Sequence, residues 1–296
     1  MTQHDQLILK GRDRDIGGLV VRRVLPSMQR RACGPFVFFD HFGPVGVDAQ
    51  HAMDVRAHPH IGLATVTYLF SGHGFHRDSL GSRQVISAGD LNWMTAGRGI
   101  VHSERTPPED RLPGAGQIMH GLQVWVGLPV EHEETAPSFV HWGKSKLPDL
   151  KIGSLDAKLL LGTYGNTKSP VATLSPTFFM DMRAASDAAE TLAFGEREIA
   201  LYVVDGDVTV DEQVIPKLGM VFVKDPSRVH VRAAKAARVV AIGGAPFPEP
   251  RHMWWNFVSS RKERIRQAAD DWQHQRMGQV VDETEFIPLP NDPLPK

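Results

Sequence analysis

Over the first 245 residues the apolar positions fall in short β-type runs cut by Gly, Pro and Asp. Examples are Thr65-Val66-Thr67-Tyr68-Leu69-Phe70, Gln84-Val85-Ile86 and Leu122-Gln123-Val124-Trp125-Val126. Ala200 to Val204, Val221 to Val223, Val229 to Val231 and Arg238 to Ile242 follow in the second half. Runs this short, punctuated this often, predict an all-β chain of antiparallel strands in a sandwich or barrel. A weak internal repeat refines the picture. Tyr68-Leu69-Phe70-Ser71-Gly72 is echoed by Tyr202-Val203-Val204-Asp205-Gly206, and Ile86 to Gly89 by Val214 to Gly219. The rhythm is that of one small antiparallel barrel used twice. It predicts an N-terminal barrel over 1–135, a connection over 136–149 with Pro137 and Pro148, and a second barrel over 150–245.

The remaining segment, 246–296, has a different period. Ser260-Arg261-Lys262-Glu263 has the form of a capping box, which starts a helix. Ile265, Ala268, Ala269 and Trp272 then recur at i, i+3, i+4 and i+7, one apolar stripe on a polar helix. A helix over about 260–275 is expected to dock on a barrel. Pro288, Pro290, Pro293 and Pro295 predict an extended, mobile tail.

Composition narrows the function classes. With 42% hydrophobic and 23% charged residues, the 296-residue chain is of ordinary globular type. A formal net charge of -1 gives no basic footprint for direct nucleic-acid binding. Cys33 is the only cysteine, so neither an internal disulfide nor a thiolate metal site can form. No apolar run is long enough to span a bilayer, and the first residues carry no apolar signal-peptide core. A cytoplasmic protein without a membrane partner is the expectation.

The candidate chemistry lies in two pairs, His58 and His60 in His-Pro-His, and His102 and Glu104 in His-Ser-Glu. Each pair is spaced i, i+2, so on a strand both side chains point to one face. Two such strands side by side bring three imidazoles and one carboxylate to a point, a set that binds a divalent transition metal and leaves positions open for chemistry. With 14 His in the chain, a lone His-x-His is a weak signal. The run Gly89 to His102, with turn-forming glycines ahead of Ile100-Val101, strengthens it by aiming a strand into a barrel mouth. The ligands accept iron, manganese, cobalt, nickel, copper or zinc.

The segments His58-Pro59-His60 to Tyr68, His76 to Gly81 and Trp93 to Glu104 closely resemble the pirin family of bicupins. Phe38 to Pro44, Gln123 to Val126 and Trp254 to Ser260 fit as well, so the resemblance covers nearly the whole chain. It implies two jelly-roll cupin domains and one metal, most often Fe(II), held by His58, His60, His102 and Glu104. It further implies activity of the quercetin 2,3-dioxygenase type on a flavonol-like aromatic substrate and dioxygen. In that scheme Glu104 takes the substrate hydroxyl proton as base as well as ligand, and ring cleavage releases carbon monoxide. The competing implication is a regulatory pirin acting through a protein partner, with the metal structural or redox-sensing. A third is a cupin with structural zinc.

Two departures from the family pattern stand out. Ile61 and Ala64 replace the Arg and Glu of His-Pro-His-Arg-Gly-Phe-Glu, which predicts a less charged pocket lining. In the second barrel Leu192 and Phe194 occupy the slots of His58 and His60, and His230 has no partners, so a metal is expected in the first barrel only. His76, Asp78, Trp93 and Ser103 are candidates to orient ligands or line the cavity. His41 is expected to pack structurally, and Arg98 to sit in a surface turn or guide an anionic substrate.

Overall fold

In the computed structural model, which describes residues 6–16 and 19–295, strands dominate and the described residues contain one α-helix, Lys262–Gln273. The chain is all-β with two cupin domains and divides into two compact units. One unit takes 6–12, 23–38 and 145–247; the other takes 13–16, 19–22, 39–144 and 248–295. The first strand among the described residues, Ile8–Lys10, therefore pairs with Gly219–Phe222 in the later barrel. The C-terminal segment joins the earlier one.

The unit containing 39–144 has a seven-stranded sheet in the order Ser138–Trp142, Leu91–Thr95, Leu63–Ser71, Gly116–Gly127, Phe36–Asp48, Val20–Leu25 and Arg12–Asp15. A four-stranded sheet, in the order Asp54–His60, Ile100–Arg105, His73–Asp78 and Arg83–Ser87, faces it. Ser138–Trp142 lies in the stretch expected as a connection. It forms an edge strand on Leu91–Thr95 because alternate residues, Phe139 among them, turn inward.

Strand alternation sorts the four-stranded sheet into two faces. Inward go His58, His60, His102, His76 and Asp78, all buried. Outward go Ala57 and Val101, which pack with Ile61, Trp254, Phe257 and the helix residues Ile265, Ala268, Ala269 and Trp272. The apolar stripe read from the sequence is thus the docking face of the helix. Each large side chain so buried contributes roughly 1.5–3 kcal/mol. Gly62 follows the His-Pro-His run with φ +67, and a Cβ there would meet the Val258 carbonyl oxygen at 1.9 Å. Glycine is required where the C-terminal backbone crosses so closely.

The helix does not start as its sequence suggests. Its N-cap is Arg261, with no side-chain cap, because Ser260 is engaged elsewhere. Ser259 and Ser260 donate their hydroxyls to Glu133 Oε2 at 3.0 and 2.9 Å, and the Ser260 amide donates to Oε1 at 2.8 Å. Arg251 closes the cluster at 3.0 Å from Glu133, with both side chains at most 3% exposed. The Pro-rich tail is held by Leu289, packed with the helix cluster, and by Arg266, which donates to the Pro295 carbonyl at 2.8 Å, and the segment ahead of it is tied down as well. Glu283 is gripped by Arg77 and Arg105, the Ile287 amide donates to the Ala57 carbonyl at 2.8 Å, and Trp272 Nε1 donates to the Ile287 carbonyl at 2.9 Å.

The other unit pairs Ile8–Lys10, Gly219–Phe222, Glu198–Asp205, Arg238–Gly244, Thr177–Ala184, Leu155–Leu161 and Asp149–Ile152 in one sheet. Ala188–Leu192, Val229–Ala233, Val208–Val210 and Gln213–Ile215 make its second. Leu192 and Phe194 are buried in its core, Phe194 edge-on to Phe178 at 5.4 Å. His230 is exposed and its Nδ1 lies 3.0 Å from Thr191 Oγ1. Among the described residues no helix is long and apolar enough to cross a membrane.

Removing one partner of a buried ion pair strands the other charge. Glu133→Ala is therefore expected to lower stability by roughly 3–5 kcal/mol. The urea unfolding midpoint of the variant checks this, and a shift of less than about 1 kcal/mol would contradict the anchoring role.

Candidate metal centre

Three adjacent strands build the site through their register. His102 lies opposite His58 on one side and opposite Asp78 on the other, and Glu104 lies opposite His76. The result is a patch of inward polar groups within an otherwise apolar barrel. Between His102 and Glu104 the partner strand advances three residues, from His58 to Val55, so the extra residue of a bulge lies in Asp54–His60. Such irregularities re-aim side chains next to functional sites.

His58, His60 and His102 each offer a ring nitrogen, and the three atoms lie within 4.8 Å of one another. Their surroundings decide which nitrogen is free. His58 Nδ1 donates to the Arg56 carbonyl at 2.8 Å, which leaves Nε2 with its lone pair. His60 Nε2 and His102 Nε2 face each other at 3.1 Å. Two nitrogens that bind one ion at about 2.1 Å with close to a right angle between them take this separation. Burial pushes the His58 pKa down to about 4, against a smaller upward pull from the Arg56 carbonyl. Burial, then the neighbouring imidazoles, hold His60 and His102 well below the ordinary histidine range. All three rings are therefore neutral at pH 7, the form that ligates a metal. The buried, converging nitrogens fit a divalent ion.

Glu104 stands beside this group rather than inside it. Its Oε1 accepts from Thr67 Oγ1 at 3.1 Å, and the same hydroxyl lies 2.8 Å from the Gln123 side-chain oxygen position. One hydroxyl proton serves one acceptor. With the Gln123 amide turned so that its NH2 donates to Thr67, the Thr67 proton is left for Glu104. Solvent touches part of Glu104, yet the protein atoms around it leave the carboxylate poorly hydrated. That desolvation raises its pKa, while His76 and the Thr67 hydrogen bond pull it down.

The other candidates separate clearly. His76 and Asp78 are buried at the site, with His76 Nε2 at 3.0 Å from Asp78 Oδ2. Trp93 is buried and donates to Thr95 Oγ1 at 2.9 Å. Ser103 alternates with His102 and Glu104 and so points to the outer face. His41 packs against Phe70 and meets His120 at 2.7 Å between Nε2 atoms. Arg98 lines a separate cavity of about 390 Å3 with Glu134, Arg261 and Arg264 beside the helix start.

The two departures lie away from the cavity. Ile61 is 1% exposed and packs under the C-terminal segment. Ala64 is an odd number of residues from Thr67 on the same strand, so it faces away from Glu104. Thr67 and Gln123 beside Glu104, and Phe139 on His76, are neighbours of the site that the sequence did not single out. The only signal for Thr67 and Gln123 is a polar residue within an apolar strand.

Fold and site together define a two-barrel cupin with a His cluster able to hold a divalent ion. A family model described as pirin matches residues 18–126, and one described as the pirin C-terminal cupin domain matches 179–278. The chain belongs to the pirin family. A pirin-like protein of Caulobacter vibrioides is 42% identical over 96% of this chain and 99% of its own length. Pirin-1 of Arabidopsis thaliana is 30% identical over 88% of this chain and 89% of its own. A crystal structure of a quercetin 2,3-dioxygenase from Acinetobacter baumannii superposes with a TM-score of 0.90 at 33% identity, covering 97% of this chain and 95% of that one.

The depressed histidine pKa values fix a pH dependence. Unfolding returns the rings to about 6.5. Below that pH the unfolded chain binds protons that the folded site refuses, so stability rises with pH across the window. Metal-free protein is expected to lose stability as pH falls from about 6.5 towards about 4, where folded His58 protonates in turn. Urea midpoints across that range check it. A His58→Asn, His60→Asn, His102→Asn variant is expected to show a flatter profile.

Proposed function

We propose that this protein is a metal-dependent dioxygenase that opens quercetin-like flavonols with dioxygen at one site of three histidines and one glutamate. The convergence of the His58, His60 and His102 nitrogens, with Glu104 alongside, is the observation that carries the assignment. The likeness to the Acinetobacter baumannii quercetin 2,3-dioxygenase over nearly the full chain supports the substrate class.

His58, His60 and His102 would hold the ion, and Glu104 would complete the set. Fe(II) is the proposed ion in the cell, since imidazole and carboxylate ligands with open positions suit non-haem iron; affinity alone would favour copper or zinc. What the ion supplies when bound is a place where a deprotonated flavonol and dioxygen meet and exchange electrons. The flavonol provides every electron that dioxygen accepts, so no external reductant is needed. Both oxygen atoms end in the ring-opened ester and carbon is lost as carbon monoxide.

The chain's own residues do three things. Thr67 and Gln123 hold the Glu104 carboxylate inside the barrel. The flavonol hydroxyl proton passes to Glu104 Oε2, the oxygen Thr67 does not engage, and poor hydration makes that carboxylate a stronger base than an exposed one. Buried Trp125, edge-on to His60 at 5.1 Å, closes one side of the imidazole group. The cytoplasm is the proposed setting, consistent with a lone, buried Cys33 whose thiol pKa burial pushes up to about 12.

The test is anaerobic loading with Fe(II), then addition of oxygen and quercetin while flavonol absorbance and carbon monoxide are followed. Turnover is expected, with His102→Ala abolishing it and Glu104→Gln lowering it by about 10^2 or more. One tightly bound metal and no turnover would sink the flavonol assignment and favour a regulatory role through a protein partner.

A further inference from the structure

The three imidazoles are oriented by different means. A backbone carbonyl, that of Arg56, holds His58, and the Asn256 backbone approaches His60 more loosely, without a close hydrogen bond to Nδ1. His102 is approached instead by a side chain. Its Nδ1 lies 3.4 Å from His76 Nδ1, and His76 Nε2 lies 3.0 Å from Asp78 Oδ2. Both His76 and Asp78 are buried, at 4% and 1% exposure. Phe139 lies flat on the His76 ring, 4.2 Å between centroids at 11°, and fixes its plane.

The protons in this row follow from Asp78. Its Oδ1 accepts the backbone amides of Leu80 at 2.9 Å and Ser82 at 3.0 Å, so Oδ2 alone faces His76. A carboxylate accepts only, so His76 Nε2 carries a proton and donates it. His76 Nδ1 is then a lone pair and accepts from His102 Nδ1. His102 Nε2 is left with its lone pair aimed at His60 and the candidate ion site.

We propose that Asp78 and His76 are positioning residues which, through one chain of hydrogen bonds, set the tautomer and ring orientation of His102 and make its Nε2 a stronger donor to the metal. The proposal rests on the metal assignment for its consequence, but the tautomer it demands exists in metal-free protein. Carboxylate–histidine pairs that fix a ligating imidazole typically change metal affinity roughly 10- to 100-fold when broken. Here the carboxylate acts at one remove, through a second imidazole.

Asp78→Asn is a sharp probe because the shape is kept and the direction of the chain is reversed. The Leu80 and Ser82 amides hold the amide oxygen of the D78N side chain, which forces its NH2 towards His76 Nε2. His76 must then carry its proton on Nδ1, and His102 must carry its own on Nε2, where the ion should bind. Nitrogen-15 NMR of the metal-free protein is expected to show His102 as the Nδ1–H tautomer in wild type and as Nε2–H in D78N.

Metal titration gives the second readout, with Co(II) as the probe. D78N is expected to bind roughly 10- to 100-fold more weakly, and the potential of bound iron to rise as donation from His102 falls. His76→Phe, which keeps the stack on Phe139, breaks the chain without reversing it. In that background adding D78N should change Co(II) affinity little, a non-additivity that a merely structural role for Asp78 would not produce. Wild-type tautomer in D78N, or unchanged Co(II) affinity and iron potential in both D78N and H76F, would overturn the proposal. Should D78N fail to fold, H76F alone decides by the same affinity and potential. Failure of wild-type protein to bind Co(II) would instead count against the metal assignment, with the tautomers still deciding the chain.

Discussion

The site depends on the antiparallel register of one strand, Ile100–Arg105, between its two neighbours. A slip of one residue would turn His102 and Glu104 out of the barrel and Val101 and Ser103 into it. With the observed register, His102 faces His58 across one ladder and Asp78 across the other. The same alternation that gathers the polar groups inside places Val101 outside, under the C-terminal helix. Inner chemistry and outer packing are therefore one constraint, and neither face can shift without the other.

The C-terminal segment holds that register from behind. Glu133 and Arg251 tie its beginning to the barrel, and Glu283 ties it further on to Arg77 and Arg105, on two adjacent strands of the four-stranded sheet. Glu283 has its pKa lowered: burial alone would raise it, but the Arg105 hydrogen bonds and the Arg105 and Arg77 charges outweigh that effect. A carboxylate only 3% exposed, between two guanidiniums, is well determined in position. These distant partners give the segment an address that its composition cannot express.

Local periodicity carried the legible part of the molecule. The i, i+2 spacing of His58 with His60 and of His102 with Glu104 put the pairs on inward faces, and the stripe from Ile265 to Trp272 named the docking face of the helix. The illegible part is set by partners distant in sequence. Ser260 reads as a cap until Glu133, far upstream, captures its hydroxyl. Ile61 and Ala64 read as pocket lining until strand alternation and the Val258 crossing place them elsewhere. Thr67 and Gln123 have no signature because only the pairing of their strands makes them neighbours of one another and of Glu104.

Inward polar groups are costly in a barrel unless each finds a partner. Asp78 satisfies its carboxylate with two backbone amides and one imidazole, and its pKa stays low although burial alone would raise it. At the opposite end of the row His60 Nε2 and His102 Nε2 face each other at 3.1 Å, a separation at which one of them donates to the other. Without an ion, His60, whose Nδ1 has no close hydrogen-bond partner, carries its proton on Nε2 and donates it to His102, which keeps the tautomer that Asp78 favours. A divalent ion would take the place of that proton and accept both lone pairs at once. Metal binding would therefore ask a change of tautomer of His60 alone, because the row from Asp78 already holds His102 in the form that ligates.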